Sequence, residues 1–325
     1  MLKKLAFLGM GGTIAGSSDS ASDNVGYKAG QVGVAQLLAA IPALGGVLGD
    51  HEPMSEQVAQ LDSKDLGHRH WNALALRACH YLSKADVSAV VITHGTDTLE
   101  ETAFFLSRVL PVELLRSKPV VLTCAMRPAS SLAPDGPQNV LDAVATALNS
   151  ASVGVVVVCA GTVHSARDVQ KVHPYRVNAF DSGDSGPLGF VEEGTVRWAH
   201  PCSGAIADAR GFPLEKLSLL PWPWVEIVVS HAGVTGTTVR ALCDMLQGAM
   251  PPLSGIVVAG TGNGTIHQDL EVALREAQKQ GVRVVRSTRC SQGRVVAGAT
   301  EFEFVRSNGM SPVKARIALM LELMQ

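Results

Sequence analysis

The chain has 325 residues, of which 46% are hydrophobic and 17% are charged, and its formal net charge is -2. This near-neutral balance argues against a nucleic-acid-binding protein, which needs a basic surface. No apolar run reaches the roughly 18 residues that a membrane-spanning helix requires. The six cysteines are scattered without a Cys-x-x-Cys pair, which predicts reduced thiols. The length favours about two domains.

The first pattern with chemical content lies near the N-terminus. Residues 5–8 predict a short buried strand, and a glycine-rich turn that leads to Thr13 follows directly. Glycines let the backbone approach a ligand closely, and a threonine hydroxyl can act as a nucleophile. On this stretch alone, a tight strand-to-helix turn without chemistry remains the alternative. A dinucleotide-binding turn fits less well because Ile14 stands at its third glycine position, and the Gly-Lys-Ser/Thr of a P-loop is missing.

The next segment, residues 17–30, is rich in Ser, Asp, Asn and Gly. It is predicted to be a long mobile loop, and loops of this kind often form lids. One aromatic residue, Tyr27, interrupts it. This tyrosine is either an anchor for the loop or a lid residue that lies over Thr13.

A second group of polar side chains follows a strand predicted at residues 58–61. Asp62 and Ser63 end this strand and can cap the helix that comes next. His68 and His70 lie two positions apart on that helix, so they do not face each other. We therefore expect no metal site here.

Residues 87–93 form a strand pattern of β-branched residues, which leads into the sequence HGTDT at residues 94–98. A helix with one apolar face is predicted from Leu99 onwards. In open parallel sheets, ligands bind at the carboxyl ends of the strands. The turn containing Thr96 and the turn containing Thr13 are therefore expected to face one pocket.

The rest of the chain alternates predicted strands and helices, a pattern typical of an α/β fold with parallel sheets. These elements are a helix at 32–44 ended by Pro42, strands at 119–125 and 153–160, a helix at 140–148, a hairpin at 189–198, strands at 225–230, 255–259 and 282–286, helices beginning near 237 and 270, and a last helix that starts at Pro312. Residues 201–223 break the periodicity and are predicted to be a linker. We expect a larger N-terminal parallel-sheet sandwich, residues 1–200, and a smaller C-terminal α/β domain, residues 224–325.

Candidate reactive groups fall near predicted strand ends: Thr13, then Thr96 with Asp97, then Lys171. A threonine hydroxyl is a weak nucleophile and needs a base. A lysine can serve as that base, and an adjacent carboxylate can hold it in place. Whether these groups meet is decided by the tertiary structure.

Two stretches resemble the signature sequences of the bacterial L-asparaginase/glutaminase family, GGTIAG at residues 11–16 and HGTDTLEETA at residues 94–103. Each stretch is fairly specific, and the pair in this order is highly specific. The similarity covers nearly the whole chain. Further matching stretches lie at residues 135–137, 167–171, 186–189 and 284–289.

The resemblance implies hydrolysis of the L-asparagine side-chain amide to aspartate and ammonia, through a covalent acyl-enzyme and without a metal or cofactor. A weaker glutaminase activity is the accompanying expectation. By the same resemblance, Thr13 is the nucleophile, and Tyr27 lies beside it on the lid. Thr96, Asp97 and Lys171 form the second catalytic group. In this group, Thr96 activates the water or, in another version of the mechanism, shares the role of nucleophile.

The resemblance also implies how the substrate is held. Asp97 and Ser63 bind its α-amino and α-carboxylate groups, and backbone N–H groups near Thr96 serve the oxyanion. The expected substrate-binding residues are Gly12, Asp62, Ser63, Gly95, Asn263 and Glu301.

Family members usually assemble as tetramers of close dimers, in which the C-terminal domain of a partner completes each site. The resemblance therefore implies a homo-oligomer, either a dimer or a homotetramer. Asn263, within the sequence GNG at residues 262–264, matches the residue that is contributed across that interface.

The sequence departs from the secreted members of the family at two places. Lys64 stands where many of them have glutamine, and a cation there would repel the substrate ammonium unless its flexible stem points it away. Secreted members also carry an acidic insert after the final strand, whereas residues 290–294 are short here. Only Glu301 or Glu303 lies nearby to replace the glutamate of that insert. Both departures leave amide hydrolysis intact but bear on affinity and on the preference between asparagine and glutamine.

Two other functions stay open at this point. The scaffold also resembles that of an ammonia-releasing subunit of a transfer-RNA amidotransferase, which is expected to have an extra N-terminal domain. A non-catalytic amino-acid-binding module would not need Thr13, Thr96, Asp97 and Lys171 together. The expected partner is a small amino acid, with no nucleic acid and no membrane. The apolar stretch after Lys4 is too short for a signal peptide, which predicts a cytoplasmic protein.

Overall fold

The computed structural model describes residues 2–202, 206, 211–244, 252–298 and 304–325. The chain forms two compact units, Met1–Leu214 and Glu215–Gln325. Each unit has its own sheet and its own hydrophobic core, and in each unit strands alternate with helices. This arrangement is the predicted two-domain α/β fold.

The strands of the first unit belong to one large sheet and one short ribbon. They are β1 (Lys4–Gly11), β2 (Glu52–Leu61), β3 (Val87–Thr93), β4 (Val120–Thr123), β5 (Val155–Cys159), β6 (Thr162–Ser165), β7 (Gln170–Lys171), β8 (Phe180–Asp181), β9 (Gly189–Glu192) and β10 (Thr195–Trp198). The order in the large sheet is β10-β9-β6-β5-β4-β3-β1-β2, and β7 pairs separately with β8. Neighbouring strands from β2 to β5 run parallel.

Helices cover both faces of this sheet. They are α1 (Val34–Ala39), α2 (Leu44–Leu48), α3 (His68–Leu82), α4 (Leu99–Val109), α5 (Val112–Leu115) and α6 (Gly136–Leu148). On one face, α1, α2 and α6 pack against Phe7 of β1 and Val91 of β3. Val90 and Ile92 alternate with Val91 and are equally buried, because α3 and α4 pack against the other side. Burial on both faces explains why these strands are nearly continuous apolar runs.

The far edge of the large sheet differs from the predicted parallel arrangement. Here β6, β9 and β10 run antiparallel to their neighbours. The chain reverses between β5 and β6 through Ala160 and Gly161, whose φ angles of 49° and 71° lie in the left-handed region that a two-residue hairpin turn requires. The sequence analysis missed β6 because alanine, and not Asn or Asp, precedes this glycine. The hairpin predicted at residues 189–198 is formed by β9 and β10.

A change of direction in the chain path puts β1 and β3 side by side, next to the edge strand β2. From β1 the chain passes to β2 on one side and then crosses back to β3 on the other side. Ligands bind in the crevice beyond the carboxyl ends of strands at such a switch point. The turns after β1 and β3 therefore lie next to each other.

Two predicted helices have different bounds in the structure. The helix expected over residues 32–44 is shorter in the structure, where α1 ends before Pro42 because the residue that precedes a proline avoids the helical conformation. A separate helix, α2, begins at Leu44. The helix expected at residues 140–148 begins earlier, at Gly136, with Pro137 in its first turn.

Asp142 on α6 is buried, with only 4% of its surface exposed, and Gln138 donates a hydrogen bond to its carboxylate. Burial raises the pKa of Asp142 above its usual value, and the bond from Gln138 opposes this shift only in part. The folded protein therefore binds this proton more readily than the unfolded chain does. Below the unfolded pKa of about 3.9, Asp142 is protonated in both states and its charge does not lower the free energy of unfolding. Above the raised folded pKa, the buried carboxylate is charged and lowers the free energy of unfolding by the full amount.

We therefore expect Asp142→Asn to stabilise the first unit near neutral pH, by about 1.4 kcal/mol for each unit by which the folded pKa exceeds the unfolded one. Urea midpoints of the wild type and the variant, measured from about pH 4 to about pH 8, should diverge as pH rises. Asp86→Asn is the matched control, because Lys4 lowers the pKa of Asp86 through a hydrogen bond and its removal should act in the opposite direction. A wild type as stable as Asp142→Asn at every pH would contradict the expectation.

The second unit contains a four-stranded parallel sheet with helices on it. Its strands are β11 (Trp224–Val229), β12 (Leu253–Gly260), β13 (Arg283–Thr288) and β14 (Val305–Arg306), and they follow the order β11-β12-β13-β14. Its helices are α8 (Thr237–Asp244), α9 (Gln268–Lys279) and α10 (Pro312–Leu323), and α7 (Leu214–Leu219) begins at the boundary between the units. Leu270 and Leu274 of α9 pack against Val258 and Val284 of the sheet.

The last helix starts at Pro312 as predicted, whereas β14 was not anticipated from the sequence because only two residues pair there. The stretch 201–223, predicted to be a linker, contains α7. Within the described ranges, no helix is both long and apolar enough to cross a membrane.

Candidate active site

Two glycines bring the turn after β1 into contact with the turn after β3. A Cβ atom on Gly12 would overlap the Cα atom of Gly95, and a Cβ atom on Gly95 would lie 2.5 Å from Oγ of Ser63. Gly12 also has a φ of 83°, which L-residues with a side chain rarely adopt. Side chains at these two positions would push the turns apart. The glycine-rich sequences therefore serve to hold two backbone turns against each other.

Thr13 begins a short 3₁₀ turn, Thr13–Ala15, directly after Gly11 and Gly12. Its side chain is buried, and its Oγ1 atom lies 2.5 Å from the hydroxyl of Tyr27. The Tyr27 ring packs against Gly16, where a Cβ atom would come within 2.8 Å of ring atom Cδ2. Burial raises the pKa of Tyr27, and the negative charges of Asp62 and Asp97 act in the same direction. The phenol therefore keeps its proton at neutral pH.

The loop that carries Tyr27, residues 17–30, is docked onto the rest of the first unit. The backbones of Ser17 and Lys28 exchange two hydrogen bonds, of 3.0 and 2.9 Å, which close the base of the loop. Further along, the Ser131 hydroxyl donates to the side-chain oxygen of Asn24 over 2.7 Å. These contacts hold Tyr27 against the β1 turn, where its hydroxyl meets Thr13.

A second cluster lies on the turn after β3. The Lys171 ammonium donates to Thr96 Oγ1 over 2.8 Å and to Asp97 Oδ1 over 2.6 Å. Thr96 is buried, whereas about half of the Asp97 side chain (51%) faces solvent. The lysine occupies a lone pair of Thr96 Oγ1, and the Thr96 hydroxyl donates to Asp97 Oδ1 over 3.4 Å. The cluster joins a hydroxyl, an amine and a carboxylate, the set that hydroxyl activation needs.

Glu100 holds the backbone of Lys171 and was missed in the sequence analysis. Its Oε2 atom accepts the N–H of Lys171 over 2.6 Å. Glu100 lies in the first turn of α4, where an acidic residue is commonly explained by the helix dipole alone. The sequence signal for its role was its position two residues after the HGTDT stretch, and only the fold shows that the short strand β7 passes beside it.

Ser63 links the β2 end to the same cluster. Its Oγ atom accepts the N–H of Asp97 over 3.2 Å, and its carbonyl oxygen accepts the hydroxyl of Thr98 over 2.9 Å. Ser63 is buried between these groups, and its hydroxyl proton has no acceptor among the described residues. It can therefore donate to a ligand while it fixes Asp97.

Lys64 is paired with carboxylates beside it in the chain. Its ammonium lies 2.5 Å from Asp65 Oδ2 and 3.6 Å from Asp62 Oδ2, and 60% of its side chain is exposed. Asp62 also accepts the backbone N–H of Lys64. The positive charge is thus turned toward solvent and balanced by two negative ones, which removes most of the repulsion that the sequence suggested.

Two further predicted site residues, Asn263 and Glu301, belong to the C-terminal part of the sequence. Asn263 belongs to the second unit, where its amide donates to the carbonyl of Val296 over 3.1 Å and accepts the Val296 N–H over 2.7 Å. Glu301 and Glu303 lie outside the described residues. In the part of the chain that is described, no three His, Cys, Asp or Glu side chains come together as a metal site.

Comparisons with known proteins find matches over nearly the whole chain. The family described as "Asparaginase, N-terminal" matches residues 4–203, and "Glutaminase/Asparaginase C-terminal domain" matches residues 224–325. L-asparaginase 2 of Escherichia coli is 37% identical, with 100% of this chain and 90% of the relative covered. Glutaminase-asparaginase of Pseudomonas fluorescens is 35% identical, with 99% of this chain and 86% of the relative covered.

A solved structure shares the whole fold. The crystal structure of a probable cytoplasmic L-asparaginase from Campylobacter jejuni superposes with a TM-score of 0.87 at 35% sequence identity. The match covers 99% of this chain and 95% of that chain.

Proposed function

The chain belongs to the asparaginase family, and we propose that it hydrolyses the side-chain amide of L-asparagine to L-aspartate and ammonia, with weaker activity on L-glutamine. One observation carries this proposal: adjoining turns present two hydroxyl groups, Thr13 bonded to Tyr27 and Thr96 bonded to Lys171. Relatives named L-asparaginase and glutaminase-asparaginase support the substrate class. The alternatives of a non-catalytic binder and an amidotransferase subunit are not favoured by these names.

In the first half of the proposed reaction, Thr13 is the nucleophile. Its Oγ attacks the amide carbon, the C–N bond breaks, and the hydroxyl proton of Thr13 leaves with the nitrogen as ammonia. The hydrogen bond with Tyr27 orients a lone pair of Oγ toward the substrate and transfers the proton. The product of this half-reaction is an aspartyl ester on Thr13.

In the second half, water attacks that ester. The water proton passes to the Thr96 oxygen while the Thr96 hydroxyl proton moves to the Asp97 carboxylate, which Lys171 holds in place and which later releases the proton to solvent. The C–O bond to Thr13 breaks, the Thr13 oxygen takes a proton from Tyr27, and the new aspartate carboxyl group returns that proton to Tyr27. The other version, in which Thr96 shares the nucleophile's role, predicts an ester on Thr96. Mass spectrometry of acid-quenched protein, followed by peptide mapping, distinguishes the two.

Substrate binding follows from the same groups. Asp97 holds the α-ammonium with its half-exposed carboxylate, and the free hydroxyl proton of Ser63 binds the α-carboxylate. Gly12 and Gly95 line the site, and the charge of Asp62 acts on Tyr27 beside it. Backbone N–H groups near Thr96 bind the oxygen that becomes negative in the transition state.

The test is ammonia release from L-asparagine and L-glutamine, measured side by side. We expect faster release from asparagine. A protein that binds asparagine by calorimetry but releases no ammonia from either amide would overturn the proposal and favour a binding role. Lys64→Gln, measured in parallel, shows whether this residue changes the ratio of the two activities.

Tyr27→Phe keeps the ring that packs against Gly16 but removes the hydroxyl that contacts Thr13. We expect kcat to fall by about 10²- to 10³-fold, the size of a lost proton-transfer group, with little change in KM. Because burial raises the pKa of Tyr27, wild-type activity should show no loss from tyrosine ionisation below about pH 10. Tyr175→Phe, at an exposed tyrosine, is the matched control and should be neutral. A Tyr27→Phe variant with wild-type kcat would exclude the hydroxyl from the reaction.

We further propose that the chain acts as a homo-oligomer, a dimer or a tetramer of close dimers, in the cytoplasm. In this arrangement Asn263 and Glu301 of one protomer complete the site of another. Mixing Thr13→Ala with Asn263→Ala after dissociation and reassociation tests this arrangement, because hybrid assemblies regain activity only when sites are shared.

Relatives are named both periplasmic and probable cytoplasmic, so cell fractionation decides the location. Residues 201–223 are proposed as the linker, and limited proteolysis there would separate the domains.

A further inference from the structure

His94 is a buried titratable residue that the proposed reaction does not use. It follows β3 directly, its side chain has no exposed surface, and its backbone N–H donates to the carbonyl of Thr123 over 2.9 Å. Burial lowers the pKa of His94 to about 4, so the imidazole is neutral under ordinary conditions. A neutral imidazole has one nitrogen that donates and one that accepts.

The hydrogen bonds of His94 fix which nitrogen carries the proton. Nδ1 lies 2.7 Å from the carbonyl oxygen of Gly95, and a carbonyl oxygen only accepts. The proton is therefore on Nδ1. Nε2 is then an acceptor, and within the described ranges it has no hydrogen-bond partner. The ring is held by one bond, and that bond is to the glycine of the β3 turn.

This bond determines the direction of the next N–H group. In a trans peptide the C=O and the following N–H point in opposite directions. With the Gly95 carbonyl turned toward the buried ring of His94, the N–H of Thr96 must point away from the core. Among the described residues, this N–H has no acceptor. The next one along, of Asp97, is already bonded to Ser63.

The close contacts shown for Gly95 involve its Cα and N atoms. Gly95 is in close contact with Gly12 and Ser63, and these contacts restrict where the residue lies. A glycine still has access to several backbone conformations. Among the described residues, the His94 ring is the hydrogen-bond donor to the Gly95 carbonyl oxygen, and this bond favours one of them.

We propose that His94 is a positioning residue that fixes the peptide between Gly95 and Thr96, so that the Thr96 N–H faces the reacting carbonyl group and donates to its oxygen as negative charge develops. This role rests on the proposed amide hydrolysis. It requires the ring to be neutral with its proton on Nδ1, and it acts only through Gly95 and Thr96. His94 itself does not touch the substrate.

The test compares two substitutions with different hydrogen-bonding ability. His94→Phe keeps a buried ring but has no donor for the Gly95 carbonyl. His94→Asn places a side-chain amide N–H near the position of Nδ1 and can restore the bond. We expect His94→Phe to lower kcat by about 10- to 100-fold, somewhat less than the 10²- to 10³-fold of a deleted oxyanion donor, because the N–H remains but is misdirected. KM and the affinity for the product aspartate should stay within about threefold, since the donor acts mainly in the transition state.

His94→Asn is expected to recover most of the lost kcat even if its thermal stability is no better than that of His94→Phe. If both variants lost the same kcat in proportion to their loss of thermal stability, the proposal would be overturned, because a role in packing alone predicts that result. A wild-type protein that releases no ammonia would instead overturn the proposed function and is seen before any variant is made.

A measurement on the wild type keeps the inference testable if neither variant folds. Nitrogen-15 labelling of histidine gives the tautomer of each ring directly by NMR. We expect one histidine, assigned to His94 from its behaviour in the variant spectra or by sequential assignment, to be neutral and protonated at Nδ1 at neutral pH. Protonation of its Nε2 instead would exclude the bond to Gly95 and with it the proposed role.

Discussion

Thr13→Ala is expected to lower kcat for asparagine hydrolysis by about 10⁴- to 10⁶-fold, the loss seen when a nucleophile is removed from a group that acts as a unit. The reason is that Thr13 supplies the oxygen that becomes the ester, and no neighbouring hydroxyl occupies its place on the β1 turn. The substitution removes a small buried side chain beside Gly12 and leaves the contact between the two turns intact. Initial rates of ammonia release and the affinity for aspartate are the measurements.

Two variants separate the chemical effect of Thr13→Ala from a structural one. Thr13→Ser keeps the hydroxyl and should retain far more activity than Thr13→Ala. Thr195→Ala, at an exposed position of β10, should have no effect. A lost nucleophile leaves a residual rate far below about one hundredth of the wild-type rate. If Thr13→Ala kept more than about one hundredth of that rate, Thr13 would not be the nucleophile, and Thr96 would become the first candidate.

Lys171→Met should lower kcat by about 10³- to 10⁴-fold, because it removes the only cation that the structure shows bonded to both Thr96 and Asp97 within the described residues. It also leaves the Asp97 carboxylate without its partner near the reacting groups. Lys171→Arg keeps the positive charge but places a planar guanidinium where a compact ammonium fits, so we expect it to restore stability more than activity. Both values come from steady-state rates at saturating asparagine.

Lys64→Met is the matched control for this experiment. Lys64 also contacts carboxylates, but they are Asp65 and Asp62 at an exposed position, so kcat should change only a few-fold. A double variant of Lys171→Met with Thr96→Val gives a second check. If the two residues act as one unit, the double variant should be little worse than the poorer single one. Fully additive losses would show that they act separately.

The sequence by itself determined those features that depend on neighbours along the chain. The apolar run of β3 and the HGTDT stretch after it predict a buried strand, a polar turn and a helix, because periodicity and turn residues act locally. The same holds for the β1 strand and the turn that leads to Thr13. Because both strands are parallel and both turns lie at their carboxyl ends, the sequence also placed Thr13 and Thr96 at one edge of the sheet.

Only the tertiary structure decided how distant segments meet. Lys171 reaches Thr96 because the chain turns back at Ala160 and Gly161, and because Glu100 holds the Lys171 backbone. Neither contact can be predicted from the periodicity of apolar residues along the chain. The hairpin turn lacks its usual residues, and an acid at a helix start has an ordinary local explanation.

The direction of individual groups was likewise left to the tertiary structure. The sequence shows a tyrosine in a polar loop, but docking of residues 17–30 places its hydroxyl on Thr13. It shows a histidine before Gly95, but burial and one carbonyl oxygen set its charge and its tautomer. Strand and turn positions follow from local chemistry, whereas the orientation of a side chain depends on contacts among residues far apart in the chain.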